Sequence, residues 1–313
     1  MRVLITGITG FIGSHLADFL TERGCEVWGT HFRNSFDNVN HLKERLELRK
    51  CDVRNKEEVK KVLEESGPEI IFHLAAQSRP DLSWKDPWTT MGVNVLGTVN
   101  LFESVRELGL DPKILVACSS AEYGFISEGE GPIREDHPLN PVSPYAVSKV
   151  AQDLMAYQYF KNYGLRTFRV RIFGTTGPRK VGDACADFAS QIALAEKKGG
   201  GTIRVGNLEP RRDLTDVRDM VRALWSVVER GREGEVYNAC SGKAYRIGEV
   251  LERMLELARV KVKVELDREK LRPSDEPLIL GDNGKIRREC GWKPEIPLEK
   301  TLEDILEYWR KGA

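Results

Sequence analysis

The chain has 313 residues, 41% of them hydrophobic, and its 48 Lys and Arg balance 48 Asp and Glu. At roughly 100–200 residues per domain, that length allows two domains, and the apolar content suffices for a sizeable core, which excludes wholesale disorder. A formal net charge of zero removes any whole-molecule electrostatic reason to bind nucleic acid or an anionic membrane, and no apolar run reaches the roughly 20 residues that span a bilayer.

In chain order, Arg2–Thr6 reads as a strand, Phe11–Arg23 as a helix and Glu26–Thr30 as a second strand. Strand Leu46–Lys50, helix Lys56–Glu65 and strand Ile70–His73 follow. Next come helix Thr90–Leu108, strand Lys113–Cys118, helix Ser143–Tyr163 and strand Thr167–Ile172. These strands are rich in Val, Ile and Leu with little polar alternation, as expected where helices cover both faces of a parallel sheet. Beyond residue 174 the elements shorten: helix Ala184–Lys197, strand Thr202–Val205, helix Asp216–Arg230, strand Glu235–Asn238, helix Ile247–Ala258, strand Lys261–Glu265 and helix Leu298–Arg310. The reading predicts an α/β architecture. A doubly wound parallel sheet forms domain 1–174, and a smaller C-terminal α/β lobe spans 175–313, with part of 206–245 returning to the first domain.

MRVLITG enters the first strand with no basic leader and no small-residue cleavage site, so no signal peptide and a cytoplasmic location are expected. Cys25, Cys51, Cys118, Cys185, Cys240 and Cys290 are scattered, without a CxxC pair or a histidine at metal spacing. Reduced thiols and no metal site are expected.

The first strand runs into Gly7-Ile8-Thr9-Gly10-Phe11-Ile12-Gly13, a GxxGxxG turn that opens a helix. Gly7 permits the turn, Gly10 lets backbone approach a pyrophosphate, Gly13 lets the helix pack on the strand, and the helix N-terminus favours an anion. The expectation is a Rossmann-type dinucleotide site that includes Thr9, Phe11 and Ile12. An NAD site usually places a carboxylate about 20 residues past the glycines. Here the second strand ends Thr30-His31-Phe32-Arg33, with no acid. Arg33 and Thr30 can instead hold a 2′-phosphate, so the cofactor is NADP or NAD with NADP(H) favoured. Asp52 and Val53 follow the third strand, where a carboxylate can accept from the adenine amino group.

Tyr145 and Lys149 lie one turn apart on a predicted helix and share a face. An ammonium beside a phenol stabilises the phenolate, and Lys149 can also bind ribose hydroxyls. Ser119 follows the fifth strand at the C-terminal sheet edge, where ligands gather in such folds. Its hydroxyl can share a substrate oxygen with Tyr145. His73 reads as a buried, hydrogen-bonded histidine. The tryptophans read as core residues, although Trp84 and Trp88 can line the pocket.

These motifs resemble the extended short-chain dehydrogenase/reductase family, the branch that modifies nucleotide sugars. The matching segments are TGITGFIGSHL, HLAAQS (73–78), VNVLGT (93–98), SSAEYG (119–124), SPYAVSK (143–149), RDLTDVRD (212–219) and GWKP (291–294). VGNLEPRRDLTDVRDM, VYNACSG, LRPSDEP and GWKPEIPLEK look most like the GDP-4-keto-6-deoxy-mannose reductases, with the GDP-mannose 4,6-dehydratases close. The resemblance implies Tyr145 as proton donor and acceptor, Lys149 as its partner and Ser119 as the assisting hydroxyl. It implies Leu74, Ala75, Ala76 and Gln77 along the cofactor, with Asn94 and Ile172 beside it. It further implies that Arg212 and Arg272 grip a nucleotide-sugar diphosphate, with Asn207, Asp275 and Arg179 on the substrate side. The helices Thr90–Leu108 and Ser143–Tyr163 match the family's dimer face, so a homodimer is expected, with a GDP-linked sugar as substrate.

The reaction turns on one position. The 4,6-dehydratases carry an acid two places after the catalytic Ser or Thr; here that place is Ala121, and Glu122 is shifted by one. A methyl group cannot act as a base. The reading therefore favours reduction of the C4 ketone of GDP-4-dehydro-6-deoxy-D-mannose, with Ala121 and Glu122 lining the sugar. A 4,6-dehydratase, a 4-epimerase and a non-catalytic NADP(H)-sensing protein stand as alternatives. Gly174 replaces the asparagine of the family's R-x-F-N-x-x-G-P segment, which changes the substrate side.

Overall fold

The computed structural model describes residues 1–126, 129, 131–271 and 276–312. Its first half alternates strand and helix: β1 (Arg2–Thr6), α1 (Phe11–Glu22), β2 (Glu26–His31), β3 (Leu46–Lys50), α2 (Lys56–Ser66) and β4 (Ile70–His73). Two short helices follow, α3 (Pro80–Lys85) and α4 (Pro87–Met91), then α5 (Gly97–Glu107), β5 (Lys113–Ser119), α6 (Pro144–Tyr163) and β6 (Thr167–Ile172). The second half holds β7 (Thr175–Thr176), α7 (Ala184–Lys197), β8 (Gly201–Val205), β9 (Arg211–Asp213), β10 (Thr215–Asp216), α8 (Val217–Arg230) and β11 (Val236–Ala239). It closes with β12 (Ala244–Arg246), α9 (Ile247–Glu256), β13 (Val262–Leu266), β14 (Leu278–Ile279), α10 (Gly284–Cys290) and α11 (Leu298–Gly312).

Seven parallel strands form the main sheet in the order β11-β6-β5-β4-β1-β2-β3. The chain winds outward from β1 to β3, then restarts on the other side of β1 with β4. The gap between β1 and β4 is thus the topological switch point, where ligands bind in open α/β sheets. Helices α1, α8 and α10 cover one face through Leu16, Leu20, Met220, Leu224, Val227 and Ile286. Helices α2, α5 and α6 cover the other through Val62, Leu63, Leu101, Phe102, Val105 and Ala156. This is the doubly wound fold that the Val- and Ile-rich strands predict. Phe72, Phe102 and Phe168 are among its fully buried side chains, and truncating such a residue to Ala typically costs about 3–5 kcal/mol.

Local chemistry sets the helix ends. Asn55 caps α2 by accepting from the amides of Glu57 and Glu58, and Gly67 ends it in the left-handed region. Ser143 caps α6 by accepting from Ala146 N, and Pro144 occupies its first turn. The single helix expected over Thr90–Leu108 is a composite. It begins at Pro87, passes through a π-helical turn at Gly92–Leu96 and continues as α5. A π turn inserts one extra residue without ending the rod, a change that hydrophobic spacing does not reveal.

Helices α7, α9 and α11 pack with the β8–β13 pair around a separate core that includes Phe188, Ile192, Leu251, Met254 and Leu302. A small β12-β9-β14 sheet lies beside it. Asp213, at the end of β9, is buried and ties three segments together. Its Oδ1 accepts from Ser241 N (2.8 Å) and Oγ (2.7 Å), and its Oδ2 from Gly242 N (2.9 Å) and Gly281 N (3.3 Å). The six cysteines are free thiols. Among the described residues, no helix is long and apolar enough to cross a membrane.

Candidate active site

The loop from β1 to α1 is shaped by contacts that exclude side chains. Gly7 has φ +74°, and a Cβ there would lie 3.0 Å from Ala75 Cα; a Cβ on Gly13 would lie 2.5 Å from the Gly7 carbonyl oxygen. No side chain caps α1, whose N-cap is Gly10. The first amides of the helix therefore face outward at the positive end of its dipole, beside Thr9, Phe11 and Ile12. A flat, amide-lined cradle at the switch point fits a dinucleotide pyrophosphate.

Braces behind the cradle fix its neighbours. Thr30, expected beside Arg33 on a 2′-phosphate, is buried, and its hydroxyl accepts from Gly7 N at 3.3 Å; it supports the turn. Arg33 is exposed at the end of β2. Asp52 is held by Arg54, whose Nη2 and Nε lie 2.6 and 3.0 Å from its carboxylate, and that bond holds the Asp52 pKa low. Val53 is buried against Gly97. Arg54, which the sequence reading passed over, adds a second guanidinium near this edge and lies over Phe32.

The loop after β4 hangs from a hydrogen-bonded chain. Leu74 N and Ala75 N both donate to Thr6 Oγ1 at 3.1 Å. Thr98 Oγ1 donates to the Asn94 carbonyl at 2.6 Å, so its oxygen accepts from Gln152 Nε2 (2.7 Å) and His73 Nε2 (3.0 Å). His73 is thereby protonated on Nε2, and its Nδ1 accepts from Thr6 Oγ1 at 2.9 Å. Burial, helped by the Lys149 charge, pushes the His73 pKa down to about 3, so the ring is neutral. Asn94 sits in the π turn. It accepts from Gln77 N at 2.8 Å and donates to Ser148 Oγ at 2.8 Å, which joins Ala76 and Gln77 to α6.

Ser119 ends β5, in register with Ile172 on β6. Tyr145 and Lys149 project from the buried face of α6 toward it. The Ser119 hydroxyl is hydrogen-bonded to Tyr145, which lowers the phenol pKa, yet burial outweighs this and pushes it up to about 12. Lys149 Nζ donates to the Ala117 carbonyl at 2.9 Å and lies 5.9 Å from the Tyr145 ring centroid. Burial lowers the Lys149 pKa. Desolvation thus outweighs the serine bond, and Tyr145 holds its proton at neutral pH. A buried phenol that keeps its proton, hydrogen-bonded to a serine at the sheet edge, can donate to an oxygen placed between them.

Ala121 is half-buried beside Ser119. Glu122, expected to line the sugar, points into the interior and has no exposed surface; its Oε1 accepts from Ser119 N at 2.7 Å. The capping box at Ser119–Glu122 turns it there. On the lobe side, Gly174 accepts from Thr215 N at 2.8 Å. Arg179 has φ +70° and bonds Asp18 of α1 at 2.7 Å, so its charge is engaged away from the substrate lobe. Arg212 lies on β9 and donates to the Glu276 carbonyl at 2.6 Å, while Asn207 is exposed and accepts from Glu209 N at 3.1 Å. Arg272 and Asp275 fall outside the described residues. Trp84 and Trp88 are exposed, and Trp28 and Trp292 are buried.

The sequence reading missed a set of buried charges behind Ser119: Asp153 on α6 with Arg169 and Arg171 on β6. Two signals existed. Asp153 is one turn past Lys149, and two arginines alternate on an otherwise apolar central strand, where each needs a partner.

Comparison with known proteins agrees with this geometry. The family model described as GDP-mannose 4,6 dehydratase matches residues 4–305. A GDP-6-deoxy-D-mannose reductase of Pseudomonas aeruginosa is 30% identical over 310 residues, covering 98% of this chain and 97% of that one. Among solved structures, RMD from Pseudomonas aeruginosa complexed with NADPH superposes with a TM-score of 0.87 at 28% identity, each chain covered in full (100%). A UDP-glucose 4-epimerase of Thermus thermophilus in complex with NAD has a TM-score of 0.89 at 30% identity, also with 100% of each chain covered. With the glycine cradle, the serine–tyrosine–lysine set and the doubly wound sheet in place, the chain belongs to the GDP-mannose 4,6-dehydratase family of NAD(P)-dependent, extended short-chain dehydrogenase/reductase enzymes.

Proposed function

We propose that the protein reduces the C4 ketone of a GDP-linked 4-keto-6-deoxyhexose, GDP-4-dehydro-6-deoxy-D-mannose being the substrate that its similarity to the Pseudomonas reductase suggests. Gly7, Thr9, Gly10, Phe11, Ile12 and Gly13 hold the pyrophosphate, the loop Leu74–Gln77 lines the cofactor, and Lys149 binds the ribose. When bound, the nicotinamide dinucleotide supplies the hydride. Ser119 and Tyr145 bond the ketone oxygen and stabilise the charge that develops on it, and Tyr145 gives up its proton at Oη. Lys149 then favours the ionised phenol electrostatically until the proton is replaced.

The observation that carries the reading is the pair Ala121 and Glu122. A dehydratase needs a carboxylate facing the sugar, whereas this chain has a methyl group there and turns the neighbouring acid inward to bond Ser119 N. A proton-holding Tyr145 suits the reductive direction for the same reason, because reduction needs a donor. NADPH is the preferred reductant on this reading, since β2 ends in the exposed Arg33 with no acid to bind a 2′-hydroxyl. The enzyme works as a homodimer joined through α6, whose Val147, Leu154 and Tyr157 are 44%, 52% and 42% exposed on one face.

Incubation with GDP-4-dehydro-6-deoxy-D-mannose and NADPH, followed by cofactor absorbance, tests the assignment. Oxidation of NADPH matched by ketone loss is expected, with no keto-sugar formed from GDP-mannose. Keto-sugar from GDP-mannose without net cofactor turnover makes the enzyme a dehydratase, and interconversion of UDP-hexoses makes it an epimerase.

A further inference from the structure

Behind Ser119 lies a buried charged cluster drawn from three elements. Asp153 of α6 has no exposed surface; its Oδ1 accepts from Arg169 Nη1 at 2.6 Å and its Oδ2 from Arg171 Nε at 2.8 Å. Arg171 Nη1 donates onward to the Tyr123 hydroxyl at 2.8 Å and the Glu135 carbonyl at 3.1 Å. Glu122 completes the group. Its Oε2 is 3.2 Å from Arg171 Nε but has no hydrogen-bond partner among the described residues, because the single hydrogen on that nitrogen serves Asp153. Cys118, Glu122 and Asp153 bring their ligand atoms within 4.8 Å of one another. The two guanidiniums already compensate the Asp153 charge and occupy its oxygens, which disfavours a cation there.

A buried carboxylate oxygen with no donor, set beside a second carboxylate, is costly to keep ionised. A proton on Oε2 removes the like-charge contact and makes the orphan oxygen a donor facing Asp153. We propose that Glu122 is held as a neutral carboxylic acid and acts as a positioning residue, fixing Ser119 against Tyr145; this rests on the reading of Tyr145 as proton donor. Burial first, and the Asp153 charge second, push the Glu122 pKa upward against the pull of Arg171. The groups that face it are Cys118 of β5, Tyr145, Lys149 and Asp153 of α6, and Arg171 of β6 with Arg169 behind. An ionised Glu122 would put negative charge beside the phenol and hinder proton release. The neutral acid avoids that charge while Oε1 still accepts from the Ser119 amide.

Three variants and one spectrum test this. In the reduction of GDP-4-dehydro-6-deoxy-D-mannose by NADPH, Glu122→Ala should lower kcat by up to about 100-fold through misplacement of Ser119, with the KM for NADPH unchanged. Glu122→Gln, which keeps the acceptor and offers an N–H to Asp153, should restore most of that loss. Infrared difference spectra between neutral and alkaline pH should show a carboxylic-acid carbonyl band in the wild type that Glu122→Gln lacks. The proposal is overturned by an alanine variant with wild-type kcat, by a glutamine variant as impaired as alanine, or by the absence of the acid band. The spectrum needs no substrate and so carries the test even if the alanine variant does not fold. Tyr145→Phe in the same assay separates the two levels: an active phenylalanine variant sinks the proton-donor reading, whatever Glu122 does.

Discussion

Gly174 and Asp213 meet so closely that a Cβ on Gly174 would lie 2.3 Å from the Asp213 carbonyl oxygen. The family's asparagine cannot occupy this place without moving β9, which explains the departure noted in the R-x-F-N-x-x-G-P segment. Gly174→Ala and Gly174→Asn should both destabilise the protein, by about 1–3 kcal/mol or more for an overpacked site, as read from urea unfolding. Unchanged midpoints would show that the two backbones are not tightly opposed.

Tyr145→Phe removes the proton donor and leaves the glycine cradle untouched. Turnover should fall by about 10²–10⁴-fold, while NADPH binding, followed by its fluorescence, stays as in the wild type. Joint loss of binding and turnover would place Tyr145 in cofactor retention instead.

Cofactor choice is expected to rest on Arg33. A guanidinium–phosphate bond is worth about 1.5–3 kcal/mol, so Arg33→Glu should raise the KM for NADPH by about 10–100-fold. The KM for NADH should change little. An equal effect on both cofactors would remove Arg33 from 2′-phosphate recognition.

On α6, Leu154→Glu puts a charge into the exposed apolar face and should convert a dimer into a monomer on sedimentation. A wild-type chain that already sediments as a monomer at micromolar concentration would refute the α6 interface.

Stability should also report Glu122. Burial raises its folded-state pKa above the ordinary carboxylate value, so the folded protein keeps a proton that the unfolded chain releases. The stability this group contributes is complete below the ordinary carboxylate range and is lost as pH climbs toward the folded value, at about 1.4 kcal/mol per pH unit. Glu122→Gln lacks that loss. Its melting temperature should match the wild type in mild acid and exceed it increasingly toward neutrality. Parallel curves between about pH 5 and 8 would mean that Glu122 takes up no proton on folding.

Much of this architecture was legible in the amino-acid order, for identifiable reasons. The main-sheet strands are short Val- and Ile-rich runs flanked by helices, and Gly7 and Tyr145 sit at positions where backbone conformation or chemistry restricts the residue. Helices α3 and α10 escaped because six or seven residues are too few to set a helical period. Strands β7, β10 and β14 have only two residues each and are defined by their partners. The inward turn of Glu122 depends on a capping box, and the raised Tyr145 pKa depends on burial; neither is written in residue spacing. The placement of Thr30 behind the glycine turn, where its hydroxyl accepts from the Gly7 amide, is likewise not written in the spacing.

The chain passes from the main sheet to the lobe at β7 and comes back at β10, and these two crossings are themselves paired, Thr175 with Thr215 and Thr176 with Asp216. The chain crosses again from β11 to β12, from β14 to α10 and from α10 to α11, so this ribbon is one of several links, and sliding of one part past the other would break its ladder. The Thr215 amide, bonded to the Gly174 carbonyl at 2.8 Å, should therefore exchange with solvent deuterium slowly.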